Sequence, residues 1–450
     1  MNFQTNSRPF RLANIHTTAR WKYSFAALAL ICVPAHADDE PRAAVAGALD
    51  IPAAAATAST PPPANLVRWG AAMDDFLGGA LSADPSLERA RASIAAAEAG
   101  VSAAKWQFGP SPSFSRQLAT GTSRYVNVLS VQQPLYTGGL LSANLNAART
   151  TLRSSELELR AAQRQLKLRI VQTWADWTKA HGRIDRLEAL RAEHQQLLEM
   201  IRRRTEAGVA TTADGALAAS RLSAVMAELA QAQLEEALQR DRLQRLARRP
   251  VEAPLLTALD GDLPTPPSLN QVLDRIQLSP EMAIARANVD LSRDELSKAK
   301  AVLLPTVSLR LDRQSGAYKD DRIGFVFQAG LPGGLSALSG LNAARSRIAA
   351  AEAAVAGTEQ DQWSNYQLEY TRYAAAVASL RNAALTASTG DEVLASYRRQ
   401  FYAGKRAWLD LLNMVREAHA TRQAQADAAT DERAGLYRLT LLLDNGPAAD

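Results

Sequence analysis

Two aspartates stand where a carboxylate could do electrostatic work. Asp214 follows the turn Ala207-Gly208-Val209-Ala210-Thr211, and Asp410 follows Ala403-Gly404-Lys405-Arg406. An acid just past a glycine turn falls on the first turn of a helix, where it stabilises the positive end of the macrodipole. Arg202-Arg203-Arg204 and Arg406 read as solvated charges near helix ends. Covalent and metal chemistry find no comparable setting. His181, His194 and His419 form no HExxH or other metal spacing, and the first two fall on a helical stripe that predicts packing inside a coil. Gly138-Gly139 and Gly333-Gly334 are followed by no GK[ST], so they read as hinges between strand and helix. No GxSxG elbow occurs. These absences predict no catalytic residue, no cofactor and no metal.

Asp214 and Asp410 are 196 positions apart, and the interval is general. It also links Arg202-Arg203 with Arg398-Arg399, Ala207-Gly208 with Ala403-Gly404, and Leu145-Asn146-Ala147-Ala148-Arg149 with the identical Leu341-Asn342-Ala343-Ala344-Arg345. Pro85, Arg91, Ala104-Lys105 and Pro110 recur as Pro280, Arg286, Ala299-Lys300 and Pro305, offset by 195. A repeat this long predicts a duplicated, pseudo-symmetric architecture.

The chain ends bound the reading. Arg8, Arg11, Arg20 and Lys22, the apolar run Tyr23 to Val33 and the small-residue site Ala35-His36-Ala37 predict a signal peptide over 1–37. Its loss takes four cations from a formal net charge of +5 and leaves the remainder at +1, which is no nucleic-acid footprint. The single cysteine, Cys32, lies in the leader behind Ile31, a poor lipidation context. The mature chain is therefore expected to lack thiol chemistry and disulfides. Residues 38–65 read as a disordered Ala/Pro linker, 66–250 as a first repeat, 251–279 as an inter-repeat linker, 280–443 as a second repeat and 444–450 as a tail.

Each repeat reads as helix, two short strands, very long helix, turn, medium helix. The helices are expected over about 82–105, 139–206 and 212–247, then 281–303, 336–402 and 408–443. Ile170, Trp174, Trp177, His181 and Ile184, then Leu187, Leu190, His194, Leu197 and Ile201, step by three and four as in a coiled coil. The lengths let a short and a medium helix stack end to end beside a long one. Strands are expected near 112–120, 124–136, 305–314 and 322–331. Thr306, Ser308, Arg310 and Asp312 alternate with Val307, Leu309 and Leu311, and Ile323, Phe325 and Phe327 follow the same rhythm. One wet face and one oily face over about ten residues is the pattern of a transmembrane β-strand. A half-buried strand of a soluble sheet shows the same alternation. Aromatic residues around the segments (Trp106, Phe108, Phe114, Tyr125, Tyr136, Tyr318) favour the membrane. Four strands cannot close a barrel, so several chains must pool theirs, and three copies would give twelve.

Gln133-Pro134-Leu135-Tyr136-Thr137-Gly138-Gly139 before a long helix resembles the strand-to-helix junction of TolC-like outer-membrane efflux proteins. Ser279-Pro280-Glu281 through Leu304-Pro305-Thr306-Val307-Ser308-Leu309 resembles that family's repeated first helix and strand, and the two glycine turns resemble its helix-tip signatures. The resemblance spans about 66–443. It implies an α+β membrane protein: a homotrimer whose twelve-stranded outer-membrane β-barrel, four strands per chain and bathed in lipid, continues into a periplasmic α-helical barrel. It implies a passive export duct that works with a periplasmic adaptor protein and an inner-membrane transporter, with an ABC-type transporter and type I secretion of a protein favoured over a multidrug pump. A soluble periplasmic coiled-coil scaffold is the alternative of a different class.

Carried over residue by residue, the resemblance implies a periplasmic gate. Arg406 matches a tip arginine that ties to the neighbouring inner coil, with Asp214 as the acidic partner. Asp410 matches the first of two acidic rings, and Asn413 stands at the second in place of an acid. Phe401 stands where a tyrosine is expected to hydrogen-bond across the gate, and a phenyl ring cannot. A less cation-selective, more loosely latched gate is the implied result. Ala207, Gly208, Val209, Ala403, Gly404 and Lys405 are the implied adaptor-docking tips.

Overall fold

The computed structural model describes residues 71–118, 124–257, 265–317, 319–330, 334 and 336–444. The expected signal peptide, Cys32, the Ala/Pro linker, Tyr318, Gly333 and all of the tail beyond Asp444 lie outside the described residues.

The order of elements is α1 (Ala71–Ala83), α2 (Pro85–Trp106), β1 (Ser111–Leu118), β2 (Tyr125–Tyr136), α3 (Leu140–Glu206) and α4 (Thr212–Ala247). Then follow α5 (Leu269–Asp274), α6 (Pro280–Ala301), β3 (Thr306–Gly316), β4 (Asp320–Gln328), α7 (Ser336–Tyr402) and α8 (Trp408–Leu443). The paired helices match in length. α2 and α6 have 22 residues each, α3 and α7 have 67, and α4 and α8 have 36. At 1.5 Å per residue, α3 and α7 are each about 100 Å long. Two elements were not legible in the sequence. α1 is a separate helix ended at Asp84, whose carboxylate accepts the Ser86 and Leu87 amides and so starts α2. α5 and two short 3-10 turns occupy the inter-repeat segment, with Ser268 and Gln271 forming a capping box at the start of α5.

α2 and α4 both lie along α3, while α6 and α8 lie along both α3 and α7. The helices therefore form four columns side by side: α2 with α4, α3, α6 with α8, and α7. The stripe of α3 carries this packing. Ile170, Trp174 and Trp177 are buried with Leu243 and Tyr437 in one cluster, and Leu187, Leu190 and Leu197 join Val225, Leu229 and Leu412 in a second. His194 is buried, as its place on the stripe predicts, and its Nδ1 meets the Leu190 carbonyl oxygen at 3.1 Å. Burial pushes its pKa down. His181 differs. It is half exposed, because the stripe slips phase between the two clusters.

A buried polar knot joins α3, α6, α7 and α8. The Arg164 guanidinium donates to Glu281 and, at 3.2 Å, to the Tyr366 hydroxyl, which in turn donates to the Leu442 carbonyl at 3.2 Å. Tyr366→Phe removes the hydroxyl from one Arg164 N–H and from the Leu442 carbonyl, while the bond from Arg164 to Glu281 stays. We expect a loss of about 1–3 kcal/mol, measured as a lower midpoint of chemical unfolding. An unchanged midpoint would deny the knot a structural role.

The four strands form one antiparallel sheet in the order β1-β2-β3-β4. Its register separates two faces. Leu309 opposes Phe325, Leu311 opposes Ile323, and Phe114 opposes Leu129 on one of them. Ser130 opposes Asp312 and Gln132 opposes Arg310 on the other. The polar face is knitted together: Ser130 donates to Asp312, and Gln132 donates to the Ser308 hydroxyl at 2.9 Å. The apolar face is bare, with Phe325 76%, Ile323 73% and Phe114 69% exposed. At the base of the sheet Gly138 adopts φ +62°, and a Cβ there would lie 2.6 Å from the Leu304 side chain, so only glycine fits where β2 turns into α3.

Candidate functional site: the helix tips

α3 and α7 end in the same way. Gly208 and Gly404, at φ +72° and +71°, provide the left-handed residue. The Val209 amide donates to the Arg204 carbonyl at 2.8 Å, and the Lys405 amide to the Gln400 carbonyl at 2.9 Å. The Gly208 and Gly404 amides reach the Thr205 and Phe401 carbonyls, both at 3.0 Å. This is the Schellman arrangement, which satisfies the last carbonyls of a helix. It leaves Ala207, Gly208, Val209, Ala403, Gly404 and Lys405 exposed at the extreme end of the two helical hairpins.

The helices that leave the turns differ. Thr211 caps α4 and accepts the Asp214 amide at 3.1 Å, while Asp214 Oδ2 accepts the Thr211 amide at 2.9 Å. The equivalent residue before α8 is Ala407, which offers no side-chain cap. Asp214 Oδ1 is thus left for another donor, and it accepts the Trp408 indole N–H at 2.9 Å. That bond runs from the start of α8 to the start of α4, so it ties one hairpin tip to the other.

Within the chain Arg406 has neighbours other than Asp214. Within one chain its guanidinium stacks over the Tyr397 ring at 3.9 Å, donates through Nε to Gln400 at 3.3 Å and stands 3.7 Å from Asp410. Its acidic neighbour is therefore Asp410, one turn along the same hairpin, and Asp214 is held by Thr211 and Trp408. Phe401 is buried among Leu394, Leu411, Leu412 and Val415, with the Arg204 guanidinium 5.2 Å from its ring centroid. Its phenyl ring serves packing. Asn413 is exposed one turn beyond Asp410, so the two share a helix face. Trp408 escaped the sequence reading. The available signal was an indole, a side chain with an obligatory donor, opening a helix at an exposed turn.

The Thr211 amide, the Thr211 hydroxyl and the Trp408 indole together hold the Asp214 carboxyl below the usual carboxylate range. A depressed pKa means that the tie is fully present above the ordinary carboxylate value and is lost as pH falls through the depressed one. Tip closure dependent on Asp214 is expected to be constant from pH 7 to about 5 and to fail only below about pH 4. Conductance recorded across that range checks this, and loosening near neutrality would point to another group.

A match to the outer membrane efflux protein family covers residues 77–247, from the middle of α1 to the end of α4. The protein is similar to that family over this stretch, 171 of its 450 residues. It is an export protein of the outer membrane that reaches into the periplasm. It is 23% identical over 330 residues to the alkaline protease secretion protein AprF of Pseudomonas aeruginosa, covering 70% of this chain and 68% of that one. It is 22% identical over 316 residues to the proteases secretion protein PrtF of Dickeya chrysanthemi, covering 66% and 68%. Its fold is similar to the outer membrane protein VceC from Vibrio cholerae (TM-score 0.71, 18% identity, 84% of this chain and 97% of that one). It is also similar to the MtrE outer membrane channel of Neisseria gonorrhoeae (TM-score 0.71, 16% identity, 86% and 94%). Among the described residues, no helix is long and apolar enough to cross a membrane.

Proposed function

We propose that three copies of the chain close a twelve-stranded outer-membrane β-barrel above a tube of twelve helix columns, and that the tube is a passive duct for a secreted protein. One observation carries the reading: the sheet has an exposed apolar face and two free edges. β1 and β4 each pair on one side only. Unpaired strand edges cannot face lipid, so a membrane sheet of this kind must be completed by other chains. The helices end the same way. α4 has exposed Met226, Leu234 and Leu238, and α7 has exposed Leu368 and Leu385. Pairing β4 and α7 of one copy with β1 and α4 of the next is a head-to-tail contact that closes a ring.

The repeats 66–250 and 280–443 each supply two strands and two helix columns, which makes six similar units per ring. The tip residues form the periplasmic entrance. Asp214 and Trp408 tie the hairpins of one copy, Asp410 and Asn413 line the constriction, and Arg406 orients Asp410. The exposed glycine turns receive a periplasmic adaptor, and an ABC-type inner-membrane transporter supplies the energy. Protein cargo is supported by the two relatives named for protease secretion.

The purified protein in detergent is expected to run as a heat-sensitive trimer and to give single-channel conductance in planar bilayers. Deleting it is expected to leave secreted proteins inside the cell with drug susceptibility unchanged. A water-soluble monomer would overturn the duct, and heightened drug susceptibility with normal secretion would replace the cargo by small molecules.

A further inference from the structure

We infer that the end of the apolar sheet face farthest from the helices binds a phosphorylated glycolipid of the outer leaflet, with Arg116 and Arg313 as its cationic ligands. The inference rests on the reading of the sheet as part of a membrane barrel.

The register lays out the face in rows. Val307 with Phe327 is the first, Leu309 with Phe325 the second, and Leu311 with Ile323 the third. In the fourth, Leu129 opposes Arg313 and Arg313 opposes Asp321. In the fifth, Arg116 opposes Asn127 and Asn127 opposes Ser315. Rows on one face are two residues, or about 6.7 Å, apart. Arg116 is thus about 27 Å along the strands from Phe327, or about 20 Å in height at a tilt near 40°. In an apolar band about 25 Å tall that begins at Phe327, Arg116 lies about 5 Å and Arg313 about 10 Å below the outer edge, and long arginine side chains reach up toward the headgroups.

The chemistry of the two faces differs. On the polar face Arg310 donates to Asp312 at 2.9 Å and Arg322 to Asp320 at 2.6 Å, so each cation is matched by a carboxylate. On the apolar face the Arg116 guanidinium lies 4.2 Å from the Tyr125 ring centroid, an aromatic support. Arg313 forms a looser ion pair, its Nε 3.7 Å from Asp321, and both side chains are largely exposed. Asn127 and Ser315 add neutral donors between them. Two guanidinium forks flanking small donors toward the outer edge of the apolar band suit a phosphate on a sugar, which a fork binds bidentately. A free anion would find no reason for the sites to stand at the edge of an apolar band.

The test uses the full chain, purified in detergent and stripped of lipid, then titrated with a bisphosphorylated outer-leaflet glycolipid or its dephosphorylated form and read by native mass spectrometry. Parent protein and an Arg310→Gln control are expected to retain the phosphorylated lipid equally. Arg116→Gln/Arg313→Gln is expected to retain about tenfold less, and the parent about tenfold less of the dephosphorylated form. Equal retention by the double variant, equal retention of the dephosphorylated form, or full displacement by millimolar inorganic phosphate would each overturn the site. If the double variant does not assemble, the comparison of the two lipids on the parent still decides. Bilayer conductance of the same preparations separates the levels. A conducting parent with unselective lipid retention overturns the site alone, and a non-conducting parent overturns the barrel beneath it.

Discussion

Ile323→Arg is expected to remove most of the assembled protein from the outer membrane. Ile323 is in the third row of the apolar face, opposite Leu311 and 73% exposed. In a closed barrel it faces acyl chains, where an arginine costs up to about 2–4 kcal/mol. Each 1.4 kcal/mol is tenfold in an equilibrium, so about thirtyfold of the heat-sensitive oligomer is lost. Gln314→Arg is the control. Gln314 is on the other face, opposite Asp320, where an added cation finds water and a carboxylate. Membrane fractions analysed with and without heating give the answer. Equal loss in both variants would show that the sheet merely tolerates no arginine. Equal assembly would show that the apolar face does not meet lipid.

The second large effect belongs to the tips. Arg406→Ser with Asp410→Ser removes the charges that flank the turn before α8, and Trp408→Phe removes the indole N–H held by Asp214 at 2.9 Å. The pair Arg406–Asp410 is local to one hairpin and sits at a wet surface, so it adds little cohesion by itself. Its weight is electrostatic, because three copies would place three carboxylates around one axis. The Trp408 bond is mechanical, since it alone among these contacts spans from α8 to α4. We expect the triple variant to raise single-channel conductance about threefold or more, with Trp408→Phe providing most of the gain and the double serine variant a smaller share with weaker cation preference. Conductance and reversal potential in asymmetric salt measure the two parts. Unchanged conductance in all variants would place the constriction elsewhere along the tube.

The helical part of this molecule was legible because its determinants are local. Gly208 and Gly404 end helices through their own φ angles, Pro250 lies just beyond α4, and the stripe from Ile170 to Ile201 marks the packed side of α3. The boundaries of α4 and α8 fall where the spacing predicts. α1 was missed because Gly78-Gly79 lower its helix propensity. Its burial of Met73, Phe76 and Leu77 against Trp174 and Leu243 overrides that propensity from outside. His181 is expected inside the coil from its spacing, but it stands beside the phase slip between the two runs, where packing alone sets how far a side chain is covered.

The gate divides along the same line. That Asp214 and Asp410 begin helices follows from residues within five positions of each, and the sequence alone determined it, along with the two-faced strands. Which donor each acid receives was decided by the fold. Trp408 is 194 positions from Asp214, and they meet only because α3 and α7 are equally long and their hairpins run side by side. A contact between hairpins depends on helix length, column order and rotation about each axis. None of these is written in the residues that touch.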